Sequence, residues 1–230
     1  MDRRKFFYAS ALGIGSSFLG PFAWADEADE LPKVLLLGDS ISIGYHPFVV
    51  EFLEGKAHVS RPMFEDGKPE NCQGTTHGRK HIDRWIGNTS WDLIHFNFGL
   101  HDLKHVDPVT GKNSQDPNHP RQAEPLQYEQ NLEQLTRRLK GTSAQLMFAT
   151  TTPYPKELSG PRRTYGDAEI YNEIALKIMT QNDVPVNDLY AFVLPQMEAL
   201  QRPNNVHFTE GGSGALGKEV AEKASALLKG

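Results

Sequence analysis

The chain has 230 residues, 38% of them hydrophobic and 23% charged, enough for one sizeable core and most economically one domain. Its formal charge of −5, with no Lys/Arg cluster in the body of the chain, argues against a polyanion-binding surface and so against nucleic acid as a partner. The only cysteine is Cys72, which excludes an intrachain disulfide and leaves stability to core packing.

Residues 1–25 read as an export signal. Arg3-Arg4-Lys5-Phe6-Phe7 is a basic start, 8–19 is mildly apolar and too short to span a bilayer, and Ala23-Trp24-Ala25 is a small-x-small cleavage site. Paired arginines followed by phenylalanines resemble a twin-arginine signal, read by the twin-arginine export machinery. Its removal would leave a mature domain of 26–230 with formal charge −7, periplasmic or secreted, with no stable membrane insertion.

The first strand is predicted over 33–37, where four apolar residues end in Gly38, Asp39 and Ser40, the pattern of a strand buried on both faces. Ser40 is then either a nucleophile at the carboxyl end of that strand or a residue that merely caps the helix running to about Gly55. A weak strand at 57–60 leads into a Gly-, Pro- and Asn-rich loop over 61–76. A helix follows over 77–86, stopped by Gly87. The second strong strand is 91–99, with Leu100, His101 and Asp102 after it. Residues 104–125 are almost wholly polar with four prolines, as in a lid or binding loop. A helix over 126–139, a strand over 145–150, a polar loop over 151–167, a helix over 168–179 and a short strand over 184–189 come next. A helix over 190–200 interrupted by Pro195, a loop over 202–209 and a terminal helix over 214–228 complete the chain. The β-α alternation predicts five parallel strands in a three-layer α/β/α sandwich, flavodoxin-like.

Three strand ends thus deliver polar groups to one edge: Ser40, the His101/Asp102 pair and the loop after Thr150. A serine needs a base within hydrogen-bond reach, and His207, in a loop just before the last helix, could reach that edge. Gly38-Asp39-Ser40, the Gly/Asn loop 71–78, Gly99-x-His101-Asp102 and Val206-His207-Phe208-Thr209 resemble, in order and spacing, the SGNH (GDSL-type) hydrolase superfamily over essentially the whole mature chain. No Gly-x-Ser-x-Gly elbow is present, which disfavours the ordinary α/β-hydrolase fold.

The resemblance implies Ser40 as nucleophile, His207 as general base, and an oxyanion hole from the Ser40 N–H, a second-block N–H and a third-block side chain. Gly74 suits the second block because a close backbone approach favours glycine; Cys72 is the alternative. The third-block donor, usually Asn, is His101, whose N–H can serve only if a neighbour holds its tautomer. Three residues before the histidine, where the family has Asp, stands Asn204, able to orient the imidazole but not to offset its charge; Asp102 and Glu210 are the alternative acids. His77/His81 and His101/His105 have i, i+4 spacing but lack the companions of a catalytic zinc site, so no metal or cofactor is expected. The polar loops suggest a short acyl group, O-acetyl on carbohydrate, since a long chain needs an apolar trough. A lysophospholipase or thioesterase, and a non-catalytic carbohydrate-binding descendant, are the other readings.

Overall fold

Because Val34 to Leu37 are buried on both faces, β1 (Lys33–Leu37) is an interior strand of the sheet in the computed structural model, which describes residues 30–229. The export-signal reading of 1–25 lies outside these residues. Beside β1 lie β2 (His58–Ser60) and β3 (Leu93–Phe96), and beyond β3 come β4 (Gln145–Ala149) and β5 (Val186–Asn187). All pairings are parallel, in the order β2-β1-β3-β4-β5. Leu37 pairs with Phe96, so β1 and β3 leave the sheet at the same level.

The crossovers are α1 (Ser40–Phe52), α2 (Thr75–Ile86), α3 (Pro125–Lys140) and α4 (Asp167–Gln181), followed after β5 by α5 (Leu189–Val193), α6 (Met197–Leu200) and α7 (Glu210–Leu227). Right-handed crossovers on a sheet whose order reverses after β1 put α1 on one face and α2, α3 and α4 on the other. Accordingly α1 packs on α7, while α3 packs against both α2 and α4. This is the expected three-layer sandwich. The reversal lies between β1 and β3, and the crevice outside their carboxyl ends is where such sheets bind ligands.

Several boundaries differ from the sequence expectation for physical reasons. The helix expected over 77–86 begins at Thr75, because Asp102 arrives from beyond β3 to accept the Thr75 N–H at 2.8 Å. The ladder of β3 stops at Phe96, and the Asn97 side chain instead donates to the Ala149 carbonyl at 2.7 Å. The last helix starts at Glu210 rather than 214, capped by Thr209 Oγ1, which accepts from the Gly212 N–H at 3.0 Å. Pro195 sits in a 3₁₀ turn, Leu194–Gln196, between α5 and α6. No helix among the described residues is long and apolar enough to cross a membrane.

Candidate active site

Ser40 is the first residue of α1, and the Asp39 carboxylate caps that helix by accepting the Ile41 N–H at 2.9 Å. Beneath this turn the buried Arg61 donates Nη1 to Ser42 Oγ at 3.2 Å and Nη2 to the Glu70 carbonyl at 2.9 Å, with the Gly38 carbonyl at 3.5 Å. A Cβ at Gly38 would lie 2.9 Å from the Ser42 side chain, so glycine is what lets the strand end pass so close to the helix. His207 comes from the far end of the chain. Its loop is fixed by the bond from Arg202 N–H to the His207 carbonyl and by Thr209, whose N–H donates to the Leu200 carbonyl, both at 2.9 Å.

Ser40 Oγ and His207 Nε2 are 2.9 Å apart. On the other side of the ring, Asn205 Oδ1 lies 2.8 Å from Nδ1 and also accepts the His207 backbone N–H at 3.0 Å. A backbone N–H can only donate, so the Asn205 atom facing it is the amide oxygen. The same oxygen then requires the proton on Nδ1, which leaves the Nε2 lone pair for the Ser40 hydroxyl. Burial lowers the proton affinity of His207; Asp39 opposes this, and Arg202 and Arg163 add to it. The ring is therefore poised as a neutral base.

Three donors lie on residues flanking this relay. The Ser40 and Gly74 N–H groups have no protein partner among the described residues. Gly74 is the N-cap of α2, and a Cβ there would meet the Asp102 carboxyl at 2.9 Å. Lys104 Nζ lies 3.3 Å from His101 Nδ1; an ammonium can only donate, so Nδ1 accepts and the proton sits on Nε2. Burial, then the charges of Lys104 and Arg163, push His101 down to about 3. His101 is thus a neutral imidazole with its tautomer held.

Residues 36–215 match the GDSL-like Lipase/Acylhydrolase family. The chain belongs to the GDSL-like lipase/acylhydrolase family. It is a carboxylic ester hydrolase of the SGNH type. No curated protein matches the sequence. Among solved structures it is similar to a lipase/acylhydrolase from Enterococcus faecalis, with a TM-score of 0.65 at 18% identity, covering 85% of this chain and 96% of that one. It is also similar to the acetyl xylan esterase AlAXEase, with a TM-score of 0.63 at 15% identity and coverage of 83% and 98%. A catalytic mutant of Axe2, an acetylxylan esterase from Geobacillus stearothermophilus, gives a TM-score of 0.63 at 16% identity and coverage of 84% and 94%.

In this GDSL-like hydrolase the structure brings Ser40 and His207 together but corrects the third member of the expected relay. Asn204 makes no hydrogen bond to His207. It adopts a left-handed backbone, φ 52°, is exposed, and its carbonyl accepts from Ser159 N and Oγ at 2.8 and 2.9 Å. That turn hands the role to Asn205, whose amide closes an Asx-turn onto the residue two positions on. The alternative acids are elsewhere too. Asp102 accepts Thr75 N and Oγ1 at 2.8 and 2.6 Å, and Glu210 is exposed in the first turn of α7. The Cys72 N–H is spent on the Gly38 carbonyl at 3.2 Å and its thiol is pushed up to about 12 by burial, so of the two second-block N–H groups only that of Gly74 is without a partner among the described residues. No group of three or more histidine, cysteine or acidic side chains able to hold a metal ion occurs among the described residues. The His77 and His81 rings lie 4.3 Å apart, tilted by 45°, and His105 faces the His119 carbonyl at 2.6 Å and Thr164 Oγ1 at 3.3 Å. Sequence reasoning missed Asn205, Arg61, Lys104 and Arg163; only the Asn-x-His spacing of an Asx-turn could have signalled the first.

Proposed function

We propose that this hydrolase is an exported serine esterase that removes short acyl groups, chiefly O-acetyl groups on carbohydrate, through an acyl-enzyme. The observation that carries the reading is the continuous relay from Asn205 through His207 to Ser40. Ser40 Oγ attacks the ester carbonyl carbon as His207 Nε2 takes its proton, and the oxyanion is held by the Ser40 and Gly74 N–H groups and His101 Nε2–H. The imidazolium protonates the departing alkoxide. A water, deprotonated by the same Nε2, then attacks the acyl carbon and releases the acid, restoring Ser40.

A short acyl group is favoured by the polar loops 104–125 and 151–167, since a long acyl chain needs an apolar trough. The two acetylxylan esterases among the similar folds support a carbohydrate alcohol. Export is supported by the composition of 1–25 alone, and a mature N-terminus at Asp26 is the expected result of sequencing the periplasmic or secreted protein.

The test is fluorophosphonate labelling combined with an acyl-chain series. Wild type is expected to label and Ser40→Ala not to, with acetyl esters of sugars preferred over p-nitrophenyl esters beyond about octanoyl. Each buried CH₂ contributes about 0.8 kcal/mol, so a lipid-ester hydrolase would show the opposite slope and overturn the acetylesterase reading. Failure of wild type to label while it still binds glycans would make the chain a binding module.

A further inference from the structure

Cations gather around the relay without acidic side chains paired to them. Arg163 Nε donates to the Leu100 carbonyl at 3.1 Å, in the turn that carries His101, and Nη1 lies 3.5 Å from the Pro161 carbonyl. Its Nη2 has no partner among the described residues. Lys104 is only 8% exposed and uses Nζ on His101. Arg163 is thus bonded to the residue before His101 and Lys104 to His101 itself, so both stand beside the third-block residue.

The local charge does not balance. Lys104, Arg163 and the buried Arg61 face Asp39, which is committed to capping α1, and Asp102, which burial pushes toward its protonated form. This excess of positive charge belongs to a chain whose formal net charge is −5. A desolvated guanidinium is costly unless paired, and its planar fork matches a carboxylate in geometry and charge.

We propose that Arg163, with Lys104 behind it, forms a carboxylate subsite beside Ser40, so that the preferred substrate is an ester carrying its own negative charge. The proposal rests on the serine-esterase reading and narrows its substrate class. The carboxylate lies on the alcohol side, as in an O-acetylated uronic acid, or on the acyl side, as in a hemi-ester of a dicarboxylic acid. Either would place its anion on the Arg163 Nη edge while the ester carbonyl faces Ser40.

Matched substrates test this with the purified mature protein. One pair is an O-acetylated methyl glucuronoside against the O-acetylated methyl glucoside; the other is a nitrophenyl hemiglutarate against the nitrophenyl butyrate. Wild type is expected to favour the acid member of one pair by about tenfold or more in kcat/KM. Which pair responds identifies the side of the carboxylate. The preference should narrow between about 20 mM and about 500 mM salt, as screening requires. In Arg163→Gln the preference is expected to collapse toward unity, chiefly through KM, and Arg163→Lys to keep part of it. Equal losses on acid and neutral members would make Arg163 only a brace for the Leu100 turn and overturn the subsite. So would a wild type with no acid preference in either pair, a result independent of how the variants fold. Labelling of Ser40 with turnover of neutral esters but no acid preference removes the subsite alone. Absence of both labelling and turnover removes the esterase reading and the subsite with it.

Discussion

Asn205 stands where a carboxylate would supply the imidazolium of His207 with a counter-charge, and an amide supplies only orientation. Its single oxygen accepts two N–H groups of the same residue, which sets the tautomer without stabilising the protonated ring. Asn205→Ala is therefore expected to lower kcat/KM by about 10² to 10⁴, the scale of losing tautomer control, while Asn204→Ala, exposed and away from the ring, changes it little. Asn205→Asp should hold or raise kcat. It should also move the acid limb of the pH–rate profile. Burial now holds the His207 proton affinity below its ordinary value; the neutral ring is the active form, so the rate climbs with pH through that lowered pKa and then levels. A carboxylate at 205 favours the imidazolium, raises that pKa and shifts the limb to higher pH. Profiles of kcat/KM for wild type and Asn205→Asp decide the matter, and superimposable acid limbs would remove Asn205 from the relay.

At the scale of elements, the N-terminus of α2 depends on one buried acid from another strand end. Asp102 Oδ1 takes both bonds from Thr75, while Oδ2 is buried without a partner. Burial pushes this carboxyl up to about 7 against the pull of the Thr75 bonds. In the unfolded chain it would release its proton near the ordinary value of about 3.9. Between those values the folded state holds more protons than the unfolded one, so this group's contribution to stability falls as pH rises from about 4 to about 7. Asp102→Asn keeps an acceptor for Thr75 and cannot ionise. Its Tm relative to wild type is expected to shift in the variant's favour by several degrees between about pH 5 and about pH 8, whatever fixed cost the amide carries. An identical Tm difference at both pH values would mean that Asp102 does not titrate in this range. The same element marks the limit of what the sequence discloses. β1 and its Gly38-Asp39-Ser40 exit were legible because burial on both faces writes a continuous apolar run. The starts of α2 and α7 were not, since the first is capped by a residue from beyond β3 and the second is disguised by Gly211, Gly212 and Gly214. For the same reason Ser40 and His207 were readable from short motifs, whereas Asn205 replaced Asn204 through a left-handed turn that residue type alone does not announce.

Over the molecule as a whole, the polar segment 104–124 gives only Ala123 to the buried hydrophobic core and is held chiefly by hydrogen bonds. At its root the Ala123 N–H donates to the Asp102 carbonyl at 3.0 Å and the Gln122 N–H to the Lys104 carbonyl at 2.8 Å. Along its length the His105 N–H donates to the Arg162 carbonyl at 2.9 Å and the Arg162 N–H to the Ser114 carbonyl at 2.8 Å, tying it to the loop that carries Arg163. Next to the root, Arg121 grips Asp167 through Nε and Nη2 at 2.7 and 2.9 Å. That fork is sheltered, with the Asp167 side chain 3% and the Arg121 side chain 25% exposed, so it contributes more than a surface pair would. The two chain segments that present Lys104 and Arg163 therefore share one charged clamp. Asp167→Asn removes the charge while keeping an acceptor, and should cost about 1–3 kcal/mol, the scale of a charge-assisted hydrogen bond. Because the sheet does not depend on the clamp, the loss should appear first as local opening. Limited proteolysis reads it directly: cleavage after the exposed Lys112 is expected to accelerate in Asp167→Asn while the far-ultraviolet spectrum stays that of the folded sandwich. KM should rise more than kcat falls, since neither Ser40 nor the His207–Asn205 pair bonds to Arg121 or Asp167. Cleavage at the wild-type rate would show that the root bonds at Ala123 and Gln122 suffice to hold the segment.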